Sequence, residues 1–254
     1  MLYIVLPAYN EEKNIGIILN NIYHLSKKGN VNLRIVVVIV NDGSTDNTEK
    51  NINKFVSSFS KSKKKLTIKK INHKKNKGLG AAIKSGFEYV VKISKNDDIL
   101  ISLDCDNTHP INLIYPMVKK IKSGRDVVIA SRFKKNSKTI GVPLERKILS
   151  YAAAIIFKLL FPINNIKDYT CGYRAYRIHF LKQAMQKNKP FFSESGFSAM
   201  VDILLQLKKF NKDINAEELP MVLRYDLKSG KSKMVVKKNI IQTLKLIIKR
   251  RFFN

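Results

Sequence analysis

The sequence predicts an α/β protein with a mostly parallel sheet flanked by helices on both faces. Three observations carry this expectation. Short aliphatic and β-branched runs alternate with longer segments of helical spacing through the first half of the chain, the rhythm of strand–helix–strand units. The run Leu33 to Val40 is rich in β-branched residues without alternation, as in a strand buried on both faces. Polar and charged residues follow directly after the apolar runs, where an open α/β sheet places its ligands.

Leu2 to Leu6 is the first strand. Asn14 to Lys28 puts Ile15, Ile18, Leu19, Ile22 and Leu25 on one helical face and stops at Gly29. Leu33 to Val40 is the second strand, and Thr45 or Asp46 caps a helix reaching about Ser60. Lys61 to Lys65 reads as a solvated turn, Leu66 to Ile71 as a third strand and Gly80 to Ser94 as a helix. Ile99 to Leu103, Pro110 to Ser123 and Val127 to Ala130 continue as strand, helix and strand. After Ser131 the rhythm changes. Residues 133–145 are polar, with Gly141 and Pro143, and read as a long loop. Helices are expected over 146–161, 177–187 and 198–210, then a strand near Leu219 to Tyr225. A basic amphipathic helix within Met234 to Phe253 closes the chain. With no internal repeat and no sharp boundary, residues 1–254 are expected to form one domain. Within it, 1–131 and 132–233 are two halves and 234–254 the terminal helix.

Of the 254 residues, 44% are hydrophobic and 26% charged, values of a globular protein rather than a disordered one. Lys and Arg total 48 against 19 Asp and Glu, a net charge of +29. The basic residues are 39 Lys and 9 Arg, a compositional bias rather than a tuned phosphate-reading surface, which would favour Arg. The charge still draws the chain towards anionic membrane, nucleic acid or phosphorylated substrates. A nucleic-acid-binding protein is an alternative suggested by charge alone. No recognition motif supports it, and no specific nucleic acid partner is expected. Two cysteines, and no basic segment before the apolar start at Met1, imply a reducing compartment and a cytoplasmic location. The most apolar stretch, Ile148 to Phe161, is interrupted by Lys158, stopped by Pro162 and shorter than the about 20 residues of a membrane span. The C-terminal helix, with Lys237, Lys238, Lys245, Lys249, Arg250 and Arg251, reads equally as membrane-lying or as packed on its own domain.

Chemistry collects at the strand ends. The first strand runs into Pro7-Ala8-Tyr9-Asn10-Glu11 and the second into Asn41-Asp42-Gly43-Ser44. The fourth runs into Asp104-Cys105-Asp106 and the fifth into Ser131-Arg132. In a parallel sheet these ends share one rim. Asp104 and Asp106, two apart, point the same way. Paired carboxylates of this kind suit Mg²⁺ or Mn²⁺, whose shell donor phosphates complete, although one of them could instead cap the helix at Pro110. The run Asn76-Lys77-Gly78-Leu79-Gly80 is a poor dinucleotide fingerprint: it follows the wrong strand and has Ile83 in place of the last glycine. Cys105, Cys171, His109 and His179 lack the paired spacing of a zinc site, and no hydrolase elbow or metalloprotease His pair is present.

The motifs LPAYNEEKNI, VNDGSTDNT, NKGLGAAIKSGF, SLDCDNTHP, ASRF, DYTCGYRAYR and RYDLKSGKSKM, in that order, resemble glycosyltransferase family 2, which has the GT-A fold. Within it they are most similar to the dolichol-phosphate and polyprenyl-phosphate mannosyltransferase-like branch. The resemblance implies a metal-dependent, inverting transfer of a sugar from a nucleotide-sugar, GDP-mannose or a UDP-hexose, to a polyprenyl or dolichyl phosphate. It makes 1–131 the donor-binding half and 132–233 the acceptor-binding half. It assigns Pro7, Tyr9, Glu11, Val40 and Asp42 to the nucleotide base and ribose. Asp104, Cys105 and Asp106 go to the metal and donor diphosphate, and Arg224 and Lys233 close over the diphosphate. Arg132, Arg146 and Ser150 go to the acceptor phosphate. For a hydroxyl acceptor on a polysaccharide or glycolipid, the alternative reaction, Asp168 is the first candidate for the base and Asp202 the second. An inactive scaffold is a further alternative, which the intact Asp104/Asp106 pair disfavours. Expected partners are the donor, the lipid acceptor, an anionic membrane bound peripherally on its cytoplasmic face and a membrane-anchoring protein. Three positions depart from the branch. Thr108 stands where Gln is common, Asn41 where Asp is common, and the Arg224 to Lys233 spacing is longer.

Overall fold

The computed structural model describes residues 1–27, 33–59, 66–194, 196–230 and 235–253. The chain runs β1 (Leu2–Ala8), α1 (Ile15–Lys27), β2 (Ile35–Asn41), α2 (Thr48–Phe59), β3 (Leu66–Asn72), α3 (Leu79–Ile93) and β4 (Ile99–Ser102). It continues α4 (Ile114–Lys122), β5 (Val127–Ser131), β6 (Lys138–Ile140), α5 (Leu144–Leu160), β7 (Arg174–Arg177) and α6 (Ile178–Lys187). It ends α7 (Ala199–Phe210), β8 (Ala216–Pro220), β9 (Val222–Arg224) and α8 (Val236–Phe252). The Gly29 stop and the Lys61 to Lys65 turn lie outside the described residues.

Seven strands form one sheet in the order β3-β2-β1-β4-β7-β5-β8. Neighbours are parallel except at β7, which runs antiparallel to β4 and β5. The α/β expectation therefore holds. All seven residues of β1 are buried, as unbroken apolar runs in a covered parallel sheet should be. Helix α3 approaches β1 through Gly86, where a Cβ would stand 2.5 Å from Val5 Cγ1. Only glycine permits that approach.

The second half differs from expectation in three ways. Strand β7 lies in the middle of the sheet, yet its sequence, Arg-Ala-Tyr-Arg, does not read as a central strand. Arg174 is fully buried and donates to the carbonyl oxygens of Met200 (2.5 Å) and Tyr169 (2.6 Å), which replace water around the charge. The strand expected near 219–225 divides after Pro220: β8 pairs with β5, and β9 pairs with β6, a strand inside the expected 133–145 loop. Helix α5 starts at Leu144, immediately after Pro143.

Two helices bury little. Among its 17 residues α5 buries only Phe157, and α8 buries only Leu246. Helix α8 is nevertheless docked on the domain, by Arg250 on Asp202 (2.6 Å) and Lys249 on Glu194 (3.4 Å). Among the described residues, no helix is long and apolar enough to cross a membrane.

Candidate active site

The carboxyl ends of β1, β2, β4 and β5 share one rim, and the polar residues after them meet there. The loop after β1 is laced to the loop after β2. The Asn10 N–H donates to Ser44 Oγ (3.0 Å), the Thr45 N–H to Asn10 Oδ1 (2.8 Å) and the Glu11 N–H to Thr48 Oγ1 (2.7 Å). Asp42 is buried. Its Oδ1 accepts the Lys77 N–H (3.0 Å) and lies 2.6 Å from His73 Nδ1, while its Oδ2 accepts the Gly78 N–H (2.8 Å). His73 Nε2 is in turn 2.9 Å from Ser85 Oγ. Gly43, with φ of +67°, lets the 75–76 backbone come closer than any side chain would allow. Asp42 thus positions residues 73–78. Pro7 is buried, and Val40 is fully buried with its side chain against α3. A base can therefore meet Val40 only through its backbone. Tyr9 and Glu11 remain partly exposed.

The acidic pair follows β4. Asn107, with φ of 63°, turns the chain sharply after Asp106. Asp106 Oδ1 accepts the Thr108 N–H (3.2 Å) and hydroxyl (2.7 Å), and the Lys228 ammonium is ion-paired with Oδ2. Burial works against the charge on Asp106, but Lys228, with His109 and the Thr108 hydrogen bond, holds the carboxyl below its ordinary pKa. The same ion pair raises the pKa of Lys228 against the opposing effect of burial. Asp104 is the more open of the pair, with 42% of its side chain exposed. Burial raises its pKa, and the charge of Asp106 adds to that. His109 Nδ1 accepts the Asp104 N–H (3.1 Å), which leaves the proton on Nε2, 3.9 Å from Asp104 Oδ2. Cys105 is buried between the two carboxylates in sequence.

A divalent ion fits this donor set. Two carboxylates with one ammonium leave a net negative charge, and Asp104 is crowded by a like charge that a cation would relieve. Among the described residues no cluster of three or more His, Cys, Asp or Glu side chains forms a protein-only cage. Asp104 and Asp106 would therefore hold Mg²⁺ or Mn²⁺ together with donor phosphates.

The basic side is built from β5 and α5. Arg132 binds Asp168 through Nε (2.8 Å) and Nη2 (2.6 Å), and its Nη2 also reaches Thr170 Oγ1 (2.5 Å). Asp168 is fully buried and also accepts the N–H groups of Arg132 (3.0 Å) and Cys171 (3.1 Å). Burial alone would raise its pKa, but the Arg132 guanidinium holds it below the usual carboxylate range. The oxygens of Asp168, the first candidate for a base, are thus taken up by Arg132 and backbone N–H groups. Asp202, the second candidate, is buried and paired with Arg250. Burial pushes the Cys171 thiol up to about 12. Arg132 Nη1 lies 3.5 Å from Ser150 Oγ. Arg146, one turn before Ser150 on α5, donates to the Tyr225 hydroxyl (2.7 Å). The structure thus brings Arg132, Arg146 and Ser150 to one place.

Of the late basic pair, Arg224 is exposed and binds Asp226 (2.7 Å), while Lys233 lies outside the described residues. Among the described residues of this segment, Lys228 reaches the acidic pair, and sequence reasoning missed it. Its signal lay in the same motif, RYDLKSGKSKM, where four basic residues compete for one role. His73 and Tyr225 were missed too, and no local pattern marks either.

This architecture and rim define a class: an α/β fold whose strand ends bring an acidic pair and a basic flank to one rim. A family model described as "Glycosyl transferase family 2" matches residues 3–196, and the chain belongs to that family. A dolichol-phosphate mannosyltransferase of Pyrococcus furiosus is 28% identical over 206 residues, 81% of this chain and 52% of that protein. The chain thus spans about half the length of that relative. A UDP-N-acetylglucosamine–dolichyl-phosphate N-acetylglucosaminyltransferase of Methanococcus voltae is 27% identical, covering 89% of this chain and 86% of that one. Among solved structures, glucosyl-3-phosphoglycerate synthase of Mycobacterium tuberculosis, in complex with Mn²⁺, UDP and phosphoglyceric acid, superposes with a TM-score of 0.67 at 18% identity. That match covers 100% of this chain and 79% of the other. At that identity it supports the fold, which is the GT-A fold expected from the sequence.

Proposed function

We propose that the protein is a metal-dependent, inverting transferase that moves a hexose from a nucleotide-sugar to the phosphate of a polyprenyl or dolichyl phosphate, at the cytoplasmic face of a membrane. Helix α5 carries this reading. Arg146, Ser150 and the buried Phe157 lie on the face turned to the site. Leu144, Ile148, Tyr151, Ile155 and Leu159 lie half a turn away and are 57–76% exposed. One helix therefore offers cationic and hydroxyl groups inward and an unbroken apolar stripe outward. That is the division needed to take a phosphate head group from a lipid whose tail stays in the membrane. The exposed Ile241, Leu244, Ile248 and Phe252 on α8, interleaved with Lys245 and Arg251, suit the same surface.

In this reading an acceptor phosphate oxygen attacks the anomeric carbon, and the bond from that carbon to the donor diphosphate breaks with inversion. The acceptor is already an anion, so no general base is needed. The pairing of Asp168 and Asp202 with arginines supports a phosphate acceptor over a hydroxyl one. A divalent ion on Asp104 and Asp106 supplies neutralising charge for the leaving diphosphate. Arg132, held in orientation by Asp168, presents Nη1 to the acceptor beside Ser150, and Tyr225 orients Arg146. The P. furiosus and M. voltae relatives share a dolichyl-phosphate acceptor by name while differing in the sugar transferred, which supports the acceptor class and leaves the base and sugar to experiment. Radiolabelled GDP- and UDP-sugars, each supplied with polyprenyl phosphate in detergent, test the reading. Label entering the lipid phase from at least one donor supports it, and label entering only soluble saccharides favours the hydroxyl-acceptor alternative.

A further inference from the structure

The contact between Lys228 and Asp106 has consequences for the order in which ligands enter. Both oxygens of Asp106 are occupied, Oδ1 by Thr108 and Oδ2 by the Lys228 ammonium. The two side chains are 11% and 16% exposed, so the contact is shielded from solvent. A cation that is to use Asp106 must compete with the ammonium for its charge.

The segment bearing Lys228 is anchored without that contact. The Arg224 N–H donates to the Thr108 carbonyl (3.0 Å), which stitches the end of β9 to the turn after Asp106. Tyr225 is held by Arg146 through its hydroxyl, and the Lys228 N–H donates to the Tyr225 carbonyl (3.2 Å). The Lys228 ammonium also lies 5.5 Å from the centre of the Tyr225 ring. The backbone can thus stay in place while a four-carbon stem redirects one ammonium.

Charge sets the direction of that movement. In the described state one ammonium partly offsets two carboxylates. A divalent ion would offset both and leave Lys228 without its counter-charge, next to an incoming diphosphate that needs one. We propose that Lys228 holds the cation's place on Asp106 in the donor-free enzyme and transfers to the donor diphosphate when metal and donor enter together. Metal binding is then coupled to donor binding, because only the fraction of protein with Asp106 released can take the ion. The inference rests on the metal-dependent transferase reading above.

The test is Mn²⁺ binding to the full-length protein, followed by electron paramagnetic resonance and calorimetry, with and without GDP or UDP. Wild type is expected to bind Mn²⁺ weakly alone and roughly tenfold or more tightly with the nucleotide. Lys228→Met is expected to bind Mn²⁺ alone roughly tenfold more tightly than wild type, narrowing the gap. Lys228→Arg, which keeps a cation, should restore weak binding, and it covers the case in which the Met variant does not fold. The proposal is overturned if nucleotide-dependent Mn²⁺ binding is present but Lys228→Met and wild type have equal affinity without nucleotide. It is also overturned if Lys228→Arg binds Mn²⁺ alone as tightly as Lys228→Met. If neither GDP nor UDP promotes Mn²⁺ binding in any form, the metal-dependent reading itself fails, and the inference with it.

Discussion

Replacing Asp168 by Asn is expected to unfold the protein at a markedly lower temperature. Asp168 is fully buried, and the Arg132 side chain opposite it is 18% exposed. The wild-type pair makes two charge-assisted bonds, and three backbone N–H groups also point at the carboxylate. An Asn amide must turn an NH₂ towards Arg132 or towards those N–H groups, leaving a buried charge without its partner. Breaking such a pair costs about 3–5 kcal/mol, and in a domain of this size that lowers Tm by roughly 6–20 °C. The effect has a pH signature. The folded pKa of Asp168 is depressed, so its contribution is complete above the unfolded carboxyl value of about 3.9 and is lost as pH falls through the lower folded value. The gap between wild type and Asp168→Asn should therefore be constant near neutrality and close only in strong acid. Thermal melts followed by circular dichroism at several pH values measure both quantities. A variant that melts within about 1 °C of wild type yet has lost turnover would refute the structural role and return Asp168 to the position of a base.

Other substitutions probe the remaining parts of the site. Asp42→Ala removes the clamp on residues 73–78 and should cost about 1–3 kcal/mol of stability. It should also weaken nucleoside diphosphate binding in calorimetry, and unchanged values for both would contradict the assignment. Arg146→Ala should raise KM for polyprenyl phosphate about 10–100-fold while leaving the KM for donor nearly unchanged, as steady-state assays in detergent would show. The double change Ile148→Glu and Ile155→Glu touches only exposed positions, so stability should stay within about 0.5 kcal/mol. Loss of two buried aliphatic contacts should lower partitioning onto anionic vesicles by about 100-fold or more, and undiminished flotation with vesicles would exclude α5 as the lipid-facing surface.

The first half of the fold was legible because β1, β2 and β4 are nearly continuous apolar runs and the helices between them carry apolar stripes, as in Ile15 to Leu25. The second half resisted for a physical reason. Strand β7 takes the buried Arg174 into the sheet, where carbonyl oxygens beyond the strand solvate it, and no local pattern reports a partner so distant in sequence. The strand-end carboxylates and Arg132 were legible from their place at the rim. Their partnerships were not. That Asp168 neutralises Arg132 is decided by a contact between segments 36 residues apart. The reach of Lys228, rather than Arg224, to Asp106 is likewise decided by a contact across the fold. The side-chain direction of Val40 follows from the close approach of Gly86, which two separated segments create together.

The most direct test of the account is the linkage in the product. The enzyme, Mg²⁺ or Mn²⁺, the accepted nucleotide-sugar and polyprenyl phosphate in mixed micelles should yield a lipid whose phosphorus resonance and mass identify a glycosyl phosphodiester, inverted at the anomeric carbon. A product with the sugar joined to a hydroxyl, and polyprenyl phosphate left unchanged, would contradict it.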